Sequence, residues 1–307
     1  MRTYTSYIND IPRYINNSNS DNITWMMEQV NDALRYLTKK FYFNERSYTV
    51  PGGTVGLQEY YNLPPQVKEI INVTVNIGGI IWTPKECSTR SEWDALHVMP
   101  FWQDFPAYFF VWDQRVGIFP TPATSGWDVQ INYKSHIPDL VMPDVTSGAT
   151  LAVTNGNSTV TASSNIFNAW MAIGNTFAWL RIPHSSTDTQ NGDNQWYQIN
   201  SVESPTSLTL KNQYTGNTLS AASTFTIGQA PILPEDYQDL PMYRALELYY
   251  TTRFPDAVRA QLYHQKYEDG LAELNDEYGS KTTSVVLSDT EANIANANLF
   301  VRSVSEV

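Results

Sequence analysis

The sequence predicts an α+β protein in which helices from both ends of the chain form a bundle, with antiparallel β domains inserted between them. Three observations favour this class: a clean helical period near the N-terminus, two helical stripes near the C-terminus, and strand-like runs between them. The predicted bundle comprises residues 1–45 and 232–279. A β-meander domain spans 46–145, a small β-barrel or sandwich spans 146–231, and an extended C-terminal arm spans 280–307.

The N-terminal helix is predicted from apolar residues that recur at steps of four, three, four, three and four. They are Ile23, Met27, Val30, Leu34, Leu37 and Phe41. Asp21 or Asn22 is the expected N-cap, because a short side-chain oxygen can accept a bond from an orphan N–H of the first turn. The first eighteen residues predict only a short turn of structure, since Pro12 and an Asn/Ser cluster punctuate them.

Two further helices are predicted near the C-terminus, on either side of Pro255. The first carries Met242, Leu246, Tyr249 and Tyr250 on one face, and Pro255 ends it because proline disfavours helical geometry at the residue before it. Gly279 predicts that the second helix ends at a residue in the left-handed conformation. The stripe of the second helix is Tyr263, Tyr267, Leu271, Leu274 and Tyr278.

The middle of the chain is typical of β structure. Alternating apolar residues over 73–82, interrupted by Gly78 and Gly79, predict a hairpin, and runs at 107–112, 116–122 and 127–134 predict a meander. From about residue 146 to 229 the chain becomes rich in Ser, Thr, Asn and Gly, with short strand patterns typical of a barrel or sandwich. Such a module is either a stable spacer or a carbohydrate-binding unit.

Aromatic residues are abundant, and their place in predicted strands favours a role in the core. The examples are Tyr60, Tyr61, Trp82, Phe109 and Trp179. An excess of Tyr and Trp also suits broad protein interfaces, where these side chains combine a large apolar area with a polar tip.

Charge and composition exclude several classes of protein. The chain has 19 Lys and Arg against 31 Asp and Glu, a net charge of −12, which argues against wrapping on nucleic acid. Its single cysteine, Cys87, rules out an internal disulfide. No run approaches the roughly 18 apolar residues of a membrane helix, and the polar start has no signal-peptide core. We expect a soluble protein without a membrane partner.

No pattern in the sequence is typical of catalysis. The four histidines, His97, His136, His184 and His264, share no ligand-like spacing, and Cys87 has no recognisable base nearby in sequence. Neighbouring acidic residues on a helix point about 100° apart, so they do not face one site. We therefore expect no enzymatic activity, no metal site and no cofactor.

Several segments carry a resemblance when they are taken in order. After the first amphipathic helix come EYYNLPPQVKEIINVTV, then YFFVWDQRVGIFPTPATSGWDVQINYKSHIPDL, then TVTASSNIF and WYQINSVESPTSLTLKNQYTG, and finally LPEDYQDLPMYRALELYYTTRF. This order resembles the head-to-tail connector proteins of tailed bacteriophages, also called adaptor or neck proteins. The large β content departs from the simplest members, which are little more than a helix bundle, and leaves the role of 146–231 open.

The resemblance implies a structural virion protein that is assembled in the host cytoplasm and located at the head-tail interface. Members form a ring, typically a dodecamer, beneath the portal protein. Their other partners are tail or nozzle proteins, and double-stranded DNA passes through the ring without specific binding. The rival class is a phage tail or capsid-associated carbohydrate-binding protein, and a hydrolase ranks third.

Two sets of site residues follow from the resemblance. The segment that matches the portal-binding arm is 280–307, and the alternative is that this segment folds back on its own subunit. A few apolar and β-branched anchors interrupt its polar sequence: Thr282, Thr283, Val285, Val286, Leu287, Ile294, Leu299, Phe300 and Val301. The candidate acidic lining of the DNA channel is Glu268, Asp269, Glu273, Asp276 and Glu277. A general contribution to solubility is the alternative role for these acids.

Overall fold

The computed structural model describes residues 1–98, 105–172, 177–184 and 191–279. Over these residues the chain forms five α-helices and fifteen β-strands, the strands arranged in three sheets. The predicted helical bundle with inserted β domains is wrong. The protein is mixed α/β, with a large multi-stranded sheet shaped as a half-barrel, and its strands are not mere insertions into a frame of helices.

Two helices precede the first strand. Helix α1 spans Tyr4–Ile15 and helix α2 spans Ser20–Lys40, so the expected short turn before the first predicted helix is wrong. Pro12 lies inside α1 and does not end it. The side chain of Asn19 accepts a bond from the Asp21 N–H at 2.8 Å, which makes Asn19 the N-cap of α2 instead of the predicted Asp21 or Asn22.

The apolar period of α2 is confirmed by burial. Met27, Val30, Leu34 and Leu37 are buried along the helix, and Phe41 is buried at its C-cap. Asn31 is buried among them and bonds the backbone of Leu140 twice, donating to its carbonyl oxygen at 3.3 Å and accepting from its N–H at 2.9 Å. The helix is therefore held to the segment that links two of the sheets.

Helix α3 spans Arg90–Val98, and two longer elements follow the strands. Helix α4 spans Leu240–Leu248 and continues as a π-helical segment, Tyr249–Arg253, before Pro255. Helix α5 spans Ala257–Tyr278, begins at the N-cap Asp256 and ends at Gly279. The backbone φ of Gly279 is −76°, so the predicted left-handed stop is wrong.

Two four-stranded sheets occupy the region after α2. The first has the antiparallel order β1 (Glu45–Thr49), β8 (Asp128–Ser135), β3 (Val67–Ile77) and β4 (Ile80–Trp82). The second has the order β2 (Tyr60–Asn62), β7 (Arg115–Phe119), β6 (Tyr108–Trp112) and β5 (Lys85–Glu86). The predicted hairpin is confirmed as β3 and β4, whereas the three runs of the predicted meander are divided between the two sheets.

The third sheet has seven strands, and all its pairings are antiparallel. Its order is β14 (Leu219–Ala222), β9 (Leu151–Val153), β10 (Thr159–Ala162), β13 (Ser207–Leu210), β12 (Trp196–Ser204), β11 (Ala178–Arg181) and β15 (Thr226–Gln229). A bulge in β12 leaves Asn200 without a partner in β13, because Ile199 pairs with Leu210 and Ser201 with Thr209.

Burial explains why helices do not dominate the architecture. Among the described residues, one hydrophobic core draws on α1, α2, α4 and α5, and three others are built largely from strands. Helix α1 is also tied to the seven-stranded region, because the Thr3 hydroxyl before it donates to Asp144 Oδ2 at 2.6 Å. Helical periodicity records only which face of a helix is apolar, and it does not reveal how much of the chain's burial occurs between sheets.

Candidate interaction surface

Helix α5 presents an unusually exposed surface. Of its 22 residues, only Tyr267 and Leu274 are buried. The opposite face is exposed along its whole length and is formed by residues at steps of four and three: Val258, Leu262, Gln265, Asp269, Ala272 and Asp276. The inner face packs on the helical core, so the outer face is the one available for contact with another molecule.

The first two turns of the exposed face are apolar. Val258 is 80% exposed and Leu262 is 50% exposed. Asp256 fixes the start of the helix, since its Oδ1 accepts bonds from the N–H groups of Val258 and Arg259, both at 3.1 Å. The two apolar side chains are therefore held in place by a capped helix and not by a loose chain end.

The five predicted acidic residues all lie exposed on α5. Asp269 and Asp276 share the outward face with Val258, whereas Glu268 and Glu277 lie toward the two flanks of the helix. Two of the five carboxylates accept hydrogen bonds: Asp269 from the Gln265 amide and Glu277 from the Tyr237 hydroxyl, both at 2.6 Å. The residues form a broad acidic surface and not a convergent site.

The Tyr237 hydroxyl shows the local effect of this acidic surface. Its hydrogen bond to Glu277, together with repulsion between a phenolate and the carboxylates of Glu277 and Glu273, raises the pKa of Tyr237 to about 12. The tyrosine therefore remains a neutral donor at physiological pH and ties the C-terminal end of α5 to the segment before α4.

The predicted arm residues lie outside the described part of the chain. They are Thr282, Thr283, Val285, Val286, Leu287, Ile294, Leu299, Phe300 and Val301. The described chain ends at Gly279, directly after α5, so the arm and the exposed face belong to consecutive segments.

A second exposed apolar surface lies at the edge of the first sheet. In β4, Ile80 is 63% exposed, Ile81 is 70% exposed and Trp82 is 40% exposed. The ring of Phe105 stacks on that of Trp82, with centroids 5.1 Å apart. This surface was not predicted, although Ile80, Ile81 and Trp82 follow a Gly-Gly turn in succession, and three successive large apolar residues leave an edge strand without a polar face.

Other aromatic predictions have mixed outcomes. Tyr61 and Phe109 are buried as expected for core residues, and Tyr60 and Trp179 are half-buried. The core assignment of Trp82 is wrong. Its strand lies at the edge of the sheet, and a strand pattern does not reveal which position the strand takes.

The histidines do not converge on one site. His97 contacts Glu59 at 3.0 Å and His264 contacts Glu247 at 3.2 Å, in different parts of the fold. Cys87 is buried, and burial raises the pKa of its thiol, which disfavours the reactive thiolate. Within the described residues, no group of three His, Cys, Asp or Glu side chains could hold a metal ion. None of the described helices is long and apolar enough to span a membrane.

Comparison with known proteins bears on the N-terminal part of the chain. No curated protein matches the sequence. The matching family model covers α1, α2, both four-stranded sheets and the first strand of the seven-stranded sheet. The predicted resemblance to phage adaptor proteins is thereby confirmed: residues 2–153 match the model of the SU10 adaptor protein family.

Proposed function

We propose that this protein is a structural, non-enzymatic component of a phage virion that joins the portal to the tail. It forms a ring beneath the portal, typically a dodecamer, and the ring encloses the path of the DNA. The observation that carries the proposal is the match of residues 2–153 to the SU10 adaptor protein family. Tail or nozzle proteins bind the face of the ring that is remote from the portal.

The exposure of α5 supports assembly with further copies of the chain. The inner face of α5 packs in the helical core through Tyr263, Tyr267 and Leu274. The apolar side chains of Val258 and Leu262 lie on the outer face and are exposed in the monomer, so a contact that covers them is favourable. In the proposed ring, Val258 and Leu262 pack against the neighbouring subunit. Closed rings form when such a contact joins two different surfaces of the same chain.

The acidic half of α5 suits a wall along the DNA path. In the proposed ring, the neighbouring subunit covers only the first two turns of the outer face. Asp269 and Asp276, further along the same face, line the lumen together with Glu268, Glu273 and Glu277. Carboxylates repel phosphates, so DNA slides past without sticking. The alternative role of these residues is solubility alone, and the surface potential of an assembled ring distinguishes the two.

The segment 280–307 is proposed to be the arm that docks on the portal. A polar segment with few apolar anchors buries too little surface to offset the roughly 1–2 kcal/mol per residue of backbone entropy that ordering costs. Binding to a partner supplies the missing contacts. Residues 282–287 have the β-branched character of a strand that adds to a foreign sheet edge.

The proposed role of the region 146–231 is that of a spacer. Its own core is rich in buried apolar residues such as Leu151, Val160, Leu180 and Ile227, which makes it a stable support. A spacer of this kind sets the distance between the adaptor's contacts and does not need a ligand.

The proposal is tested by mass and by binding. Analytical ultracentrifugation and negative-stain electron microscopy of the purified protein, alone and mixed with the portal of the same virion, measure assembly directly. We expect a ring in the mixture, with a subunit number compatible with the portal. A protein that stays monomeric with portal rings and binds instead to host-surface glycans on an array overturns the proposal in favour of the carbohydrate-binding class.

A further inference from the structure

A cleft of about 490 Å³ lies between the first sheet and the seven-stranded sheet. It is lined on one side by Arg46 of β1 and Tyr133 of β8, and on the other by Phe177, Asn200 and Lys211. Its volume is in the range typical of ligand sites. The cleft is remote in sequence from the exposed face of α5, and the adaptor role proposed above does not use it.

Arg46 is the central cation of the cleft. Its guanidinium carbon lies 4.7 Å from the centroid of the buried Phe177 ring, so one face of the planar group is covered. Among the described residues, no carboxylate lies within ion-pair distance of Arg46 and no group accepts a hydrogen bond from its guanidinium. Residues 173–176, which precede Phe177 in the chain, contain no Asp or Glu in their sequence.

This lack of a partner is uncommon for a half-buried arginine in so acidic a chain. Of the other half-buried arginines in the described chain, Arg2 and Arg244 pair with carboxylates and Arg181 donates to the side chain of Asn194. Burial lowers the pKa of Arg46, and the neighbouring Tyr133 opposes this shift only in part. The energetic cost of holding a desolvated cation is offset when an anion binds to it.

Two polar side chains complete the cleft from the seven-stranded sheet. Asn200 is the extra residue of the bulge in β12, and bulges commonly re-aim a side chain toward a site. Lys211 follows directly after β13, where its N–H bonds the carbonyl oxygen of Gln198 at 2.8 Å. Among the described residues, neither the Asn200 amide group nor the Lys211 ammonium group has a side-chain partner.

The charge of the cleft distinguishes between anions. Arg46 and Lys211 contribute two positive charges and Glu45, at the rim, contributes one negative charge, which leaves one positive charge. A single carboxylate balances this charge, whereas a phosphate dianion exceeds it. The planar N–H fork of an arginine matches two oxygens of a carboxylate or of a phosphate, so the charge of the cleft, and not the fork, favours the carboxylate.

We infer that the Arg46 cleft is a binding site for a carboxylate, supplied by an acidic side chain of a protein segment that inserts between the two sheets. The carboxylate accepts from the free edge of the Arg46 guanidinium, and Lys211 and Asn200 contact it from the opposite wall. The rest of the cleft accommodates the backbone that carries the acidic residue.

Thermal melting with short capped peptides tests the site. The probes are acetyl-Ala-Glu-Ala-amide, its Gln counterpart and inorganic phosphate, at equal ionic strength. The Glu peptide is expected to raise the melting temperature of the wild type by mass action, and the Gln peptide is not. Arg46→Gln should weaken the apparent affinity for the Glu peptide by about tenfold or more, because a hydrogen bond to a charged group is lost.

Controls keep the result interpretable. Arg115→Gln, which changes an exposed strand arginine elsewhere, should respond as the wild type does. Lys211→Gln alters an exposed side chain and replaces Arg46→Gln in the test if that variant does not fold. It should also reduce the rise in melting temperature that the Glu peptide causes. Equal responses to the Glu and Gln peptides, or an undiminished response in both cleft variants, overturn the inference. A response to phosphate without one to the Glu peptide overturns the assignment to a carboxylate.

Discussion

The hydroxyl of Tyr250 donates a hydrogen bond to the backbone carbonyl oxygen of Tyr14 at 2.9 Å, across 236 positions of sequence. The same hydroxyl accepts from Arg259 Nη1 at 3.0 Å. One buried oxygen thus joins the last turn of α1, the π-helical segment and the first turn of α5. Helix ends leave carbonyl groups without an intrahelical partner, and this bond supplies a partner to one of them.

Tyr250→Phe is therefore expected to destabilise the protein by about 1 kcal/mol, since it leaves the part-buried carbonyl group of Tyr14 without its partner, whereas Arg259 keeps its ion pair with Asp256. Urea unfolding measures the change. Tyr243→Phe is the matched control, because the Tyr243 hydroxyl bonds no described residue and Tyr243 packs in the same aromatic group. Both variants keep the aromatic ring and lose only a hydroxyl group, so equal losses would show that the hydrogen bond of Tyr250 does not carry the effect.

Asp144 predicts a pH dependence of stability. Burial raises the pKa of Asp144, although hydrogen bonds with Thr3 and Thr5 oppose the shift. Because the folded pKa lies above the unfolded one, the stability from this group is fully present below the unfolded pKa and is lost as pH rises through the folded pKa. Wild type should therefore gain stability relative to Asp144→Asn as the pH falls from neutral toward about 4.

Unfolding by urea at a series of pH values measures this difference. Thr3→Val should have the opposite effect to Asp144→Asn. The Thr3 hydroxyl stabilises the ionised carboxylate, so its loss should raise the pKa of Asp144 further and enlarge the gain in stability on acidification. If the free energies of unfolding of the wild type and of Asp144→Asn change with pH in parallel, Asp144 is not the source of the pH dependence.

The exposed apolar residues of α5 predict a defect in assembly without a defect in folding. The double variant Val258→Gln and Leu262→Gln should change the free energy of unfolding by no more than about 0.5 kcal/mol, because both side chains are exposed. Self-association, measured by sedimentation velocity, should weaken. Val98→Gln alters a valine that is 83% exposed on α3 and should leave assembly unchanged. A double variant that assembles normally excludes this face from the subunit contact.

Neutralising the acidic surface of α5 is expected to increase adhesion to DNA. Replacing the five acids by their amides removes five negative charges per subunit, and the amide oxygen introduced by Glu277→Gln still accepts from Tyr237. Filter binding of the assembled ring to non-specific duplex DNA should then strengthen, most clearly at low salt. A control with the same change of charge neutralises five exposed acids elsewhere: Glu28, Glu69, Glu86, Asp113 and Asp128. If both variants bind DNA equally more strongly, the acids of α5 act only through the overall charge of the protein.

Truncation after Gly279 is expected to abolish binding to portal rings while the shortened chain still folds. The reason is that the truncation removes the proposed arm and leaves in place the residues that form the described hydrophobic cores. Pull-down on portal rings measures the loss. A full-length variant with Leu299, Phe300 and Val301 changed to Ser distinguishes the loss of the apolar anchors from the loss of chain length. Unchanged affinity of the truncated protein would refute the docking arm.

The sequence by itself determined the elements whose patterns are local. The period of α2 and the hairpin of β3 and β4 follow from steps of 3.6 and 2 residues and from Gly78 and Gly79, which carry positive φ in the turn. The acidic residues of α5 are exposed as their spacing predicts, because charged side chains are rarely buried without a partner. These features depend on contacts within a few residues.

Only the tertiary structure decided how the elements combine. Pro12 lies within a helix, the three meander runs belong to two sheets, and Trp82 lies at an exposed edge, although its strand resembles a core strand. Arg46 lies beside Phe177 and Lys211, which come from distant parts of the chain. Burial and charge pairing depend on which distant segments meet, and a local period carries no information about that choice.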